Sequence, residues 1–227
     1  MFYCAVLLTA AYTTLSFHPD ALFPVEYTSG NVTLHSRVPL HQDSRAILTR
    51  VLEKLAATDF FDPEEKFEVY FTGDNYLHAL LVPFCGKTFS CLHPATDKVF
   101  ITSADFEKNR AYPRGGGENP RVLESVLTHE LVKAQLKHKL GTADYFFLPD
   151  WKKDGYAEHI AMETAELEPE EICTKKSQTA TRDLYLKYRL AIEMSTVEGD
   201  SYPELIRTAR GRSDAVEQVT RKYCRKK

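Results

Sequence analysis

Glu124–Ala161 reads ESVLTHELVKAQLKHKLGTADYFFLPDWKKDGYAEHIA, and the fold turns on how this stretch is arranged. Asn119-Pro120 offers a cap followed by proline at the first helical position, and Val122, Leu123, Val126, Leu127, Leu131 and Ala134 continue an apolar helical pattern that Gly141 can stop. The spacing predicts a helix over Arg121–Lys139. Pro149-Asp150-Trp151 opens another, running through Ala157 and Ile160 and expected over Lys153–Leu167. Residues at i and i+4 share a helix face, so His129 and Lys133 lie together on the first helix, and Asp154 and Glu158 on the second.

HELVK followed by WKKDGYAE resembles the gluzincin class of zinc metallopeptidases, in which one helix bears H-E-x-x-H and the next supplies a glutamate ligand in a W-x-x-E-G-x-A-E context. The resemblance covers Glu124–Ala161. It implies a zincin-like α+β fold: a small N-terminal sheet with a hairpin, then the motif helices, then a helical C-terminal part. It places His129 and Asp154 at metal-ligand positions, Glu130 at the position of the general base, Lys133 at the second ligand position, and Glu158 as a substitute ligand. The implied cofactor is zinc, absent or weakly held here, and the implied partner is a peptide or protein, as substrate or ligand.

Two of three ligand positions depart from that pattern. Aspartate for glutamate keeps a carboxylate but withdraws it by about 1.5 Å. Lysine for histidine is graver, because an ammonium has three donors and no acceptor and binds metal only after losing a proton. His138, nine positions beyond His129, points away, and His159 lies off the face of Asp154. The expectation is a metallopeptidase-like protein with an impaired or lost catalytic centre, its Lys133 ammonium standing where a metal would, paired with Asp154 and Glu130. The alternatives are an active atypical zinc peptidase, with Glu130 taking a proton from bound water, and a module that holds a peptide or envelope protein in the old cleft.

Outward from the motif, VEYTSGNVTLHS (Val25–Ser36) reads as a hairpin, and Ile47, Leu48, Val51, Leu52 and Leu55 mark a helix ending near Asp59. KFEVYFT (Lys66–Thr72) and KVFIT (Lys98–Thr102) read as strands, and Asn109–Asn119 as a glycine-rich loop. Helices are expected over Thr181–Met194, Tyr202–Arg210 and Asp214–Tyr223. Strands first and helices later make an α+β order. Trp151 and Tyr156 are expected to anchor packing and Gly155 to permit close approach of helices. The acidic run Glu158, Glu163, Glu166, Glu168, Glu170 and Glu171 reads as a solvated face, and Arg221, Lys222, Arg225, Lys226 and Lys227 as a loose basic tail.

At 227 residues with 43% hydrophobic content the chain can bury a full core, and no linker divides it, so residues 18–227 are expected as a single domain. Lysine plus arginine total 29 against 32 acidic residues, a net charge of −3 that gives no electrostatic basis for nucleic-acid binding. Residues 1–17 are almost wholly apolar and stop at His18-Pro19, which suits a leader or membrane segment and an exported or membrane-anchored protein, associating with the membrane through residues 2–17. Of five cysteines, Cys85 and Cys91 bracket a short loop that either closes as a disulfide or keeps free thiols.

Overall fold

The computed structural model describes residues 12–86, 88–116, 119–173, 180–197, 201–207 and 212–224, and the fold is α+β. Most of the apolar leader (1–11), Gly117 and the basic tail from Arg225 onward lie outside the described residues. The chain forms two compact units, Met1–Leu52 with Pro63–Val126, and Glu53–Asp62 with Leu127–Lys227.

The first unit holds a five-stranded sheet whose strands, counted along the chain, lie side by side in the order first, second, third, fifth, fourth. The hairpin is as expected, β1 (Val25–Ser29) against β2 (Val32–Ser36). α1 follows (Asp43–Ala56), then β3 (Phe67–Phe71), which lies parallel to β2. β4 (Ser90–Leu92) is antiparallel to β5 (Val99–Ile101), itself parallel to β3. Alternation along these strands sorts side chains by face. Val32, Leu34, Phe67, Val69, Val99 and Ile101 are all buried on one side. His35, Glu68, Tyr70 and Phe100 occupy the other, with Glu26 paired to His35 across the hairpin.

Between these strands α2 (Asn75–Leu81) starts where the Asp74 carboxylate accepts the N–H groups of Tyr76 (2.6 Å) and Leu77 (3.3 Å), a cap that lets so short a helix form. The expected loop at Asn109–Asn119 is partly strand: β6 (Ser103–Asp105), β7 (Arg110–Tyr112) and β8 (Arg121–Val122) form a small antiparallel sheet. Residues 12–17 are helical, and their last turn is tied to this unit. The Ser16 hydroxyl donates to the Leu81 carbonyl (3.1 Å), and Phe17 meets the edge of His93. No helix among the described residues is long and apolar enough to cross a membrane.

The motif helix, α3 (Leu123–Leu140), ends at Gly141, whose φ of +79° an L side chain would resist. It is followed by α4 (Thr142–Phe147) and α5 (Asp150–Ala161). α5 stops six residues before the expected Leu167, because Met162 turns left-handed (φ 55°). α6 (Ala180–Val197), α7 (Tyr202–Arg207) and α8 (Arg212–Tyr223) complete the second unit. Trp151, Leu186, Tyr188, Ile192, Leu205 and Val219 form its core. Cys85 is joined to Cys91 in the first unit and Cys173 to Cys224 in the second.

Gly155 does permit close packing of α5 on α6. A methyl group there would stand 2.7 Å from the Tyr188 carbonyl oxygen and 2.8 Å from Ile192 Cγ1. Backbone cannot yield as a side-chain tip can, so Gly155→Ala should cost about 1–3 kcal/mol. Urea denaturation measures it, and an unchanged midpoint would mean that the helices are not in this contact.

Candidate functional site

Two helices of the second unit build the motif site. α3 carries His129, Glu130 and Lys133; α5 carries Asp154 and, one turn on, Glu158. His129 and Asp154 face each other, with Nε2 and Oδ1 3.5 Å apart. The same Asp154 oxygen lies 3.5 Å from Lys133 Nζ, which is also 3.3 Å from Glu130 Oε2. On the other edge of the imidazole, His129 Nδ1 lies 3.6 Å from Glu158 Oε2. The Tyr185 ring stacks over His129 with centroids 5.0 Å apart.

The cluster is nearly dry. Side-chain exposure is 4% for His129, 6% for Glu130 and zero for Glu158, with 18% and 20% for Lys133 and Asp154. Buried charges persist only when paired, and here three carboxylates alternate with an ammonium and an imidazole. For Asp154 burial favours the neutral acid, but Lys133 and His129 together hold its pKa well below the usual carboxylate range. Burial likewise opposes the Lys133 charge, and Glu130 and Asp154 override it, keeping the amine protonated well past its ordinary value. His129 is pushed up to about 9, because Asp154 and Glu158 outweigh its desolvation.

Glu158 and Glu163 are buried, not part of a solvated acidic face. The turn at Met162 sends the chain back over α5, and Glu158 Oε1 accepts the N–H (2.7 Å) and hydroxyl (2.8 Å) of Thr164. Trp151 and Tyr156 are buried anchors, as expected. His159 sits beside Glu193 (3.4 Å), and His138 is exposed, so neither joins the site.

These residues do not fit a zinc ion. Asp154 approaches Nε2 of His129 and Glu158 approaches Nδ1, so the two carboxylates flank opposite edges of one ring instead of converging on a point. The group that does reach both Glu130 and Asp154 is an ammonium with no lone pair to give.

A second cluster, which sequence reasoning missed, lies on the polar face of the sheet in the first unit. Asp20, His35 and Glu68 each offer a ligand atom, all within 4.8 Å of one another. Lys98 Nζ contacts Glu68 Oε2 (2.5 Å) and the Tyr70 hydroxyl (2.8 Å), and that hydroxyl donates to Asp20 Oδ1 (2.5 Å). The His35 ring, 3.6 Å away, and the Lys98 ammonium hold the Glu68 carboxyl down at about 2 against partial burial. Glu68 and Tyr70 at i and i+2 were legible as one face; which strand lies beside them was not.

The signs of these shifts set a pH profile. His129, raised above its unfolded value of about 6.5, contributes stability that is full below that pH and is lost as pH rises through about 9. Asp154 and Glu158, both lowered, contribute stability that is present above the ordinary carboxylate range and lost as pH falls. His78, buried in α2, is lowered to about 4, first by desolvation and then by Arg114; its contribution is present above about 6.5 and lost as pH falls through about 4. Urea midpoints should therefore peak near about pH 6.5, where the His78 contribution is complete and the loss of the His129 contribution begins. His129→Gln should flatten the alkaline limb. A wild-type midpoint unchanged through pH 9 would contradict the ion pairing of His129.

No protein-family model matches this chain, and no curated protein matches it.

Proposed function

We propose that this protein is a zincin-type metallopeptidase homologue in which an internal ammonium has taken the place of the metal, leaving a non-catalytic protein that holds a peptide or protein segment. The observation that carries this reading is the position of Lys133 Nζ, 3.3 Å from Glu130 and 3.5 Å from Asp154. A metallopeptidase needs Glu130 free to take a proton from a metal-bound water. Here its carboxylate is engaged by Lys133, and the carboxylate of the third ligand position is neutralised by the same group.

The order of the fold, a sheet with a hairpin followed by helices that bring His129 opposite Asp154, supports the zincin assignment. Two disulfides support maturation in an oxidising compartment and hence export. The test is calorimetric zinc titration of the wild type beside Asp154→Asn, with a general peptidase assay on both. The reading expects no zinc uptake that depends on Asp154 and no hydrolysis. Stoichiometric zinc lost in Asp154→Asn, together with peptide cleavage, would replace it with an active atypical peptidase.

A further inference from the structure

We propose that Asp20, His35 and Glu68 form a binding site for a first-row divalent cation of the zinc type, on the sheet of the first unit and independent of the motif helices. Their ligand atoms already lie within 4.8 Å of one another. Metal–ligand bonds of about 2.0–2.2 Å ask those atoms to close further. Asp20 and Glu68 can move to do so, their side chains being 46% and 39% exposed.

The second observation is the state of His35. It is 3% exposed, and neither ring nitrogen has a hydrogen-bond partner. Nδ1 faces Glu26 Oε1 at 3.5 Å and Nε2 faces Glu68 Oε1 at 3.6 Å. A neutral imidazole has one N–H, so it can satisfy only one of these carboxylates and turns a lone pair toward the other. A cation on Nε2 removes the conflict: the lone pair binds metal, Glu68 binds the same metal, and Nδ1–H is left to donate to Glu26. That is the carboxylate–histidine–metal arrangement by which proteins orient a ligating imidazole. The Tyr70 ring, stacked flat on His35 (4.4 Å, 6°), fixes its plane.

Lys98 does not occupy this position as Lys133 occupies the motif centre. It grips Glu68 by Oε2, leaving Oε1 on the His35 side, and both it (3.6 Å) and the Tyr70 hydroxyl approach Asp20 at Oδ1. Asp20, Glu68 and Glu26 against one ammonium leave a net charge of −2 around the His35 ring. One imidazole with carboxylates suits zinc and its neighbours, whereas magnesium and calcium favour oxygen-only sets. The nearby ammonium weakens the site without filling it.

Titration of the full chain with zinc chloride tests this, with calcium chloride as the contrast. One zinc equivalent should bind and calcium should not. Glu68→Gln, at a half-exposed position that leaves the fold intact, should weaken zinc by at least about tenfold, and Lys98→Met should tighten it. Asp154→Asn should leave it unchanged. Folded wild-type protein that takes up no zinc, or zinc uptake indifferent to Glu68→Gln, would overturn the inference. Uptake abolished by Asp154→Asn but not by Glu68→Gln would place the metal at the motif helices and overturn the proposed function as well; uptake abolished by Glu68→Gln alone leaves that reading standing.

Discussion

Lys133→His should add one zinc equivalent to the protein, bound between α3 and α5. The new imidazole would stand one turn beyond His129 on the same face, where a lone pair replaces an ammonium. Glu130 and Asp154 would lose the cation that now lies within 3.5 Å of both, and a dication would restore the balance. Because Asp154 is one bond shorter than glutamate, Lys133→His with Asp154→Glu should bind tighter than Lys133→His alone. The gain over the wild-type motif centre should exceed about 100-fold, since a lost ligand costs more than the 10- to 100-fold of a lost supporting contact. His129→Ala should abolish it. Calorimetry in a Glu68→Gln background isolates the motif centre. Failure of the double variant to bind would mean that the groups around the motif no longer orient its ligands.

Lys133→Met should destabilise the second unit by about 3–5 kcal/mol, the cost of breaking a buried ion pair by removing one partner. The methionine keeps the apolar stem but leaves Glu130, Asp154 and Glu158 with His129 as the neighbouring cation. Adding Asp154→Asn should recover a large part of the loss, because the uncompensated carboxylate goes with it. Urea denaturation at neutral pH reads both variants. A loss below about 1 kcal/mol, the range of solvent-exposed pairs, would show that the Lys133 ammonium is effectively in water.

The motif cluster was legible because its logic is local. His129 and Lys133 share a helix face by spacing alone, and the second helix follows after a short connection, so the meeting of Lys133 with Asp154 and Glu130 followed from the pattern. The hairpin, α1 and β3 were equally readable from short-range periodicity. What escaped is short or long-range. α2 has seven residues, too few for a period, and its Asp74 cap was the one signal available. The early end of α5 depends on Met162 adopting a left-handed backbone with no glycine or asparagine to announce it. Of the run of glutamates read as solvated, Glu166, Glu168 and Glu170 are exposed, whereas Glu158 and Glu163, on either side of that turn, are buried, and Glu158 partners His129 and Thr164. His35 and Glu68 meet because β2 and β3 pair in parallel, and Asp20 joins them through the Tyr70 hydroxyl; no local pattern sets either contact. The Cys173–Cys224 pairing, across 51 residues, is of the same kind.

Crystals of the wild-type protein grown with zinc, with anomalous differences recorded at the zinc edge, test the exchange of metal for ammonium most directly. The account predicts Lys133 Nζ within salt-bridge distance of Glu130 and Asp154 and no anomalous peak between His129 and Asp154. A peak about 2.0–2.2 Å from both His129 Nε2 and an Asp154 oxygen, with the Lys133 side chain turned away, would contradict it.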